Sequence, residues 1–192
     1  MLLDHANFAT FERAGYHVTR VHFYAPIPEV RNLDGRRRYD AIGLDMNDAG
    51  QQALLGAAAK YFDEYEWASN AYFGPSDSRL LYGILRHVAP TRIVEVGSGF
   101  STRVIRAALQ RNGAGELVTI EPYEPERMPI VPTYPVPVQH VPLDIFTGLG
   151  QNDVLFVDSS HVAKTGSDVT HLVLNVLPAL KPGVIVHFHD IF

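Results

Sequence analysis

The sequence predicts an α/β domain built on a doubly wound, mainly parallel sheet, and three observations predict it. After Pro90, short β-rich runs alternate with longer helical ones, as βαβ units require. The first run, RIVEV over 92–96, enters a glycine turn that leads straight into a helical stretch. Acids also follow successive strands, Glu121, Asp144 and Asp158, and in such sheets ligands sit outside the carboxyl ends of the strands. With 192 residues, 46% of them hydrophobic, the chain suffices for one well-buried domain and is too short for two with full cores.

The elements follow in order. Residues 1–46 are irregular: Pro26 and Pro28 interrupt an aromatic-rich stretch, Asp34-Gly35 marks a turn, and the segment reads as an extended arm. Asp48 reads as an N-cap, because Leu54, Ala57, Ala58, Tyr61, Phe62 and Tyr65 follow at helical spacing to about Trp67. A second helix begins at Ser76 or Asp77 and runs toward Pro90. Residues 1–74 are thus expected as arm and helix, and 75–192 as the ligand-binding core. After the first strand, a helix over 102–112 stops at Gly113 and a second strand spans 117–120. Seven prolines between Pro122 and Pro142 forbid a long helix, so 136–143 is expected as a proline-marked third strand ending at Asp144. A fourth strand over 154–157 and a helix with Val169, Leu172, Val173, Val176 and Leu177 on one stripe come next. The last strand spans 184–188. The expected strand order is 3-2-1-4-5.

The totals narrow the partners. A formal net charge of −5 leaves no positive excess to neutralise a phosphate backbone, so no nucleic-acid partner is expected. Arg36-Arg37-Arg38 reads as a solvated turn. Without cysteine there is neither a disulfide nor a thiolate metal site. The N-terminus lacks an apolar signal core and no run of eighteen apolar residues exists, so a cytoplasmic protein with no membrane partner is expected.

In Glu95-Val96-Gly97-Ser98-Gly99-Phe100-Ser101-Thr102, the two glycines let the backbone turn and approach a ligand without a Cβ in the way. The helix that follows offers unpaired N–H groups to an anion. A dinucleotide turn would carry a third glycine where Thr102 stands, so an amino-acid carboxylate fits better than a pyrophosphate and nicotinamide chemistry is disfavoured. Glu121, ending the second strand, suits the two hydroxyls of a ribose, and Asp144 an adenine amino group. His187 and His189 share one face of the last strand, near Asp158-Ser159-Ser160-His161.

VEVGSGFST, TIEP, FVDSSHVAKTGSD and LKPGVIVHFHDIF resemble bacterial class I, Rossmann-like S-adenosylmethionine-dependent methyltransferases, distantly similar to catechol O-methyltransferase. The resemblance covers about 75–192 and implies methyl transfer to a small-molecule acceptor, at a hydroxyl oxygen. It implies that Glu95, Gly97, Ser98, Gly99, Phe100 and Ser101 meet the methionine end of the cofactor, with Glu121 at the ribose, Asp144 at the adenine and Asp158 beside them. Metal-dependent relatives carry an acid after strand four and an Asp-Asn pair after strand five. Here Asp158 and His189-Asp190 fall on those positions, which implies a divalent cation, magnesium or a transition metal, with His189 as a departure. Two catalytic routes follow: a cation on Asp158, His189 and Asp190 that acidifies the acceptor, or His161 as general base. Tyr72, Phe73 and Phe100 are expected to line the acceptor pocket or cover the cofactor. Relatives continue into a further hairpin, so the last strand is expected to be completed by a longer chain or covered by another copy. The rival readings are a cofactor-binding remnant without turnover and a nicotinamide-dependent oxidoreductase.

Overall fold

Five parallel strands form one sheet in the order β3-β2-β1-β4-β5, where β1 is Arg92–Val96, β2 Glu116–Ile120, β3 Thr133–Tyr134, β4 Val154–Val157 and β5 Ile185–Phe188. This is the expected order. The structure is a computed structural model that describes residues 5–19, 42–123 and 131–190, so most of the expected arm (20–41) and the turn around Pro125 lie outside it. The chain divides into two compact units, Met1–Met46 and Asn47–Phe192. The first contains helix α1, His5–Arg13. The second contains the sheet and the helices α2 (Asp48–Ala58), α3 (Pro75–Val88) and α4 (Phe100–Asn112), so α2 belongs with the sheet and not with the arm.

Strand alternation explains the core. Ile93, Val154 and Phe156 point to one face, where they pack with Leu81 and Leu85 of α3 and Ile105 of α4. Val94, Val96, Ile120, Leu155 and Val157 point to the other, against Phe146, Leu172 and Val176. Both faces are covered, which is why β1 and β4 read as nearly continuous apolar runs. Glu95 interrupts the pattern on the Ile93 side. Below the sheet, Asp153 accepts from the Thr91 hydroxyl, the Arg92 N–H and the Gly150 N–H, each at 2.8 Å, and ties the start of β1 to the turn before β4.

Several expected boundaries move. The long helix from residue 48 is α-helical only to Ala58, then tightens to a 3-10 stretch, Ala59–Glu64, and Asn47, not Asp48, caps it. The third strand is Thr133–Tyr134, not 136–143. Its ladder bonds are Thr119 N–H to Pro132 O and Glu121 N–H to Tyr134 O. Pro132 and Pro135 have no N–H to extend it. The apolar run beyond folds as a 3-10 turn, Val138–His140, and a short helix α5, Asp144–Thr147. The last helix opens as α6, Asp168–His171, widens to a π turn over Leu172–Val176 and closes as a 3-10 turn over Leu177–Ala179. Pro178 explains the change, since it lacks an N–H and its ring crowds the preceding turn.

Candidate active site

β1 stands between β2, to which α4 leads, and β4, which pairs on its other side, so chain direction across the sheet reverses between β1 and β4. The polar residues singled out above gather there. At the tip of β1, Gly97 has φ +87° and a Cβ added to it would lie 2.0 Å from the carbonyl oxygen of Asp158, at the tip of β4. Only glycine fits. Gly99 is different: its φ of −178° is extended backbone, and a Cβ there would meet no protein atom within 4 Å.

Glu95, expected at the ligand, is turned inward. It is fully buried, its Oε1 accepting from the Ser101 hydroxyl at 2.7 Å and its Oε2 from the Thr102 hydroxyl at 2.8 Å. Thr102 in turn accepts from the Gly99 N–H at 3.0 Å. The threonine in the place of a third glycine therefore locks the turn to the strand below it, and the Ser101 hydroxyl is committed to Glu95. Burial pushes the Glu95 carboxyl up to about 8, against the lowering effect of those two hydroxyls and with a further push from Asp158 and Glu121. The group is thus mostly protonated at neutral pH.

Glu121, after β2, reaches the turn: its Oε2 accepts from the Ser98 N–H at 3.0 Å and its Oε1 from the Tyr123 N–H at 2.9 Å. A cavity of about 510 Å³ opens beside it, walled by Gly97, Glu121, Val138, Gln139, Asp158 and Asp168, among others. Ser98, Gly99, Phe100 and Ser101 are not part of that wall, and neither is Asp144, which opens α5. The adenine assignment of Asp144 depended on a strand the prolines do not allow. Among the wall residues that escaped the sequence reading are Gln139, Asp168 and Lys164. Gln139 donates through Nε2 to Gly166 O at 2.8 Å, while its buried Oε1 has no hydrogen-bond partner among the described residues. Asp168 accepts from the Ser160 N–H at 2.7 Å and hydroxyl at 2.6 Å, which fixes the loop after β4; burial opposes ionisation, but these bonds and the Val169 N–H hold its carboxyl below the ordinary value. The signal for Asp168 was its place in FVDSSHVAKTGSD, but nothing in the spacing sets it apart from an ordinary helix cap.

The tips of β4 and β5 bring the histidines and aspartates together. His161 Nε2 lies 3.3 Å from Asp158 Oδ1 and 3.9 Å from Asp190 Oδ2. His189 Nδ1 lies 3.5 Å from Asp158 Oδ1 and 3.4 Å from Asp190 Oδ1. His161 and Asp190 both hold left-handed backbone, φ +59° and +54°, uncommon outside glycine although Asp and His enter it more readily than most residues. Phe73 stacks on the His189 ring with centroids 4.8 Å apart, and Tyr72 stacks on Phe100 at 6.2 Å. Asn70 pins that loop, accepting from the Tyr72 and Phe73 N–H groups and donating to Phe73 O. His187, on the same side of β5, packs edge-on to Phe156, and burial lowers its pKa.

A second hollow, of about 620 Å³, lies against α4 and β2 and is lined by Arg103, Arg106, Gln110 and Val131 among others, with no carboxylate or histidine among the described residues. No helix among the described residues is long and apolar enough to cross a membrane.

The family described as "Methyltransferase domain" matches residues 94–191, from the middle of β1 through the Asp190 tip. An uncharacterized protein of Archaeoglobus fulgidus is 29% identical over 163 residues, 68% of this chain and 73% of its own length. The crystal structure of an SAH-bound methyltransferase of Podospora anserina aligns with 74% of this chain and 70% of its own, at 18% identity and a TM-score of 0.42. With the family match spanning more than half of its length, the chain belongs to the methyltransferase-domain family, in its class I, S-adenosylmethionine-dependent form.

Proposed function

We propose that the protein transfers a methyl group from S-adenosylmethionine, held in the cavity between Gly97, Glu121 and Asp158, to a hydroxyl oxygen of a small molecule bound over the tips of β4 and β5. The observation that carries this reading is the adjacency of those two places, since Asp158 belongs to both. Glu121 already accepts from two N–H groups, and the same carboxylate suits the two hydroxyls of a ribose. The unpartnered Oε1 of Gln139 takes over the adenine-side role expected of Asp144, since a buried acceptor calls for a donor such as an exocyclic amine. The cofactor supplies an electrophilic methyl carbon on a sulfonium. The acceptor oxygen bonds to that carbon as the carbon–sulfur bond breaks, the sulfur keeps the electron pair, and His161 takes the hydroxyl proton. Most of the acceleration comes from holding donor and acceptor in line.

Asp158, His189 and Asp190 also fit a divalent cation, as the resemblance implies, because each offers one ligand atom and these lie within 4.8 Å of one another. Such an ion would acidify the acceptor hydroxyl. Calorimetric titration with S-adenosylhomocysteine tests the reading. Wild-type protein is expected to bind, and Glu121→Ala to bind at least roughly 100-fold more weakly, the worth of two hydrogen bonds to a charged group. No binding at about 1 mM ligand, or tight binding of NADH instead, overturns it.

A further inference from the structure

We propose that the centre at the tips of β4 and β5 selects a borderline transition-metal ion, zinc or a first-row neighbour, over magnesium, with His189 Nδ1 as the selecting ligand. The inference rests on the reading of this cluster as the acceptor side of a methyl-transfer site.

The His189 side chain is only 10% exposed, and its Nδ1, wholly buried, makes no hydrogen bond among the described residues although two carboxylate oxygens lie 3.4 and 3.5 Å away. A buried ring nitrogen without a partner is rare in a settled structure. The ring is also held in place: Phe73 packs on it with centroids 4.8 Å apart, and Phe156 lies 6.3 Å from it. An ion that reaches both carboxylates therefore meets the imidazole nitrogen as well. Magnesium requires near-ideal octahedral oxygen ligation and dehydrates reluctantly, whereas imidazole suits zinc, iron, cobalt, nickel and copper. Two carboxylates balance the charge of a divalent ion, and His161, 3.3 Å from Asp158 Oδ1, stands where it would orient that ligand.

The test uses the full chain, stripped of metal and titrated separately with zinc and magnesium, with copper(II) as a paramagnetic probe. Wild type is expected to take one zinc ion on the order of 100-fold more tightly than magnesium. Copper is expected to show nitrogen coupling in its electron paramagnetic resonance spectrum. His189→Asp, which makes the set all-oxygen, should lose that coupling and shrink the zinc-to-magnesium ratio by about tenfold or more. Should that variant not fold, the more exposed Asp190→Ala should weaken zinc by roughly 10- to 100-fold. No zinc binding by wild type overturns the proposal. So does an unchanged ratio, or persistent nitrogen coupling, in His189→Asp. S-adenosylhomocysteine titration of the same samples reports on the cofactor cavity alone, so failure of the methyltransferase reading stays distinguishable from failure of the metal assignment.

Discussion

Replacing Glu95 with glutamine should make the protein more stable in mildly alkaline solution than in its native form, an unusual outcome for altering a fully buried residue beneath a ligand site. The carboxyl sits at about 8 in the folded chain against an ordinary value of 4.5. The folded state thus holds a proton that the unfolded chain releases. The stabilisation is complete below pH 4.5, declines as the pH rises, and is gone above about 8. The interval is roughly three and a half pH units, and at about 1.4 kcal/mol for each the native state loses up to about 5 kcal/mol across it. Glutamine keeps the geometry: its carbonyl can accept from Ser101, and its amide can donate to Thr102, whose hydroxyl already accepts from the Gly99 N–H. Urea unfolding of both proteins at intervals between about pH 5 and pH 8.5 measures the slope. The variant should show a markedly flatter dependence, and the two curves should diverge with rising pH. Parallel curves across that range would refute the placement of an uncharged carboxyl under the turn.

Gly97→Ala should abolish S-adenosylhomocysteine binding and lower stability by about 2–4 kcal/mol, read by calorimetry and thermal unfolding, because the new methyl collides with the Asp158 carbonyl at a left-handed backbone position. Asp153→Ala removes the acceptor of three hydrogen bonds from a nearly buried site and should cost about 2–4 kcal/mol in urea unfolding while leaving cofactor affinity unchanged. The Asp153 carboxyl lies below its ordinary value because the Gly150 N–H, the Thr91 hydroxyl and the Arg92 N–H outweigh burial. Its stabilisation is therefore present above 3.8 and lost as the pH falls through the lower folded value, so the variant and wild type should converge in acid. His161→Gln should reduce kcat roughly 10²- to 10⁴-fold with little change in S-adenosylhomocysteine affinity, and equal rates would remove the imidazole from proton transfer.

How far these features could be read from the sequence depended on what kind of constraint set them. The strand order and the turn at Gly97 were legible because apolar runs, glycine positions and chain order are direct statements about backbone geometry. The grouping of Asp158, His189 and Asp190 was implied by the family resemblance, with strand order placing the two strand ends side by side, and the structure brings those three side chains together. What escaped were choices of direction. Glu95 stands at a strand end beside a ligand turn, and whether it faces outward or under the helix depends on Ser101 and Thr102, two hydroxyls whose rotamers no periodicity encodes. The third strand was misplaced because VPVQHVPL alternates apolar residues as a strand does, while its prolines withdraw the donors that a ladder needs. Asp144 was carried off with it. Gln139 and Asp168 became visible only when the turn after β3 and the start of α6 were folded against the same cavity.

The collision that any side chain at Gly97 would suffer with the Asp158 carbonyl means that main chain fixes the turn in the proposed donor half, beside the Glu121 and Gln139 side chains, while the proposed acceptor half is written in side chains on two sharply bent tips. Substitutions at an exposed residue beside those tips, such as Tyr72, can therefore accumulate without disturbing the turn at Gly97. A lineage carrying this domain is free to explore new methyl acceptors while its grip on the methyl donor stays inherited.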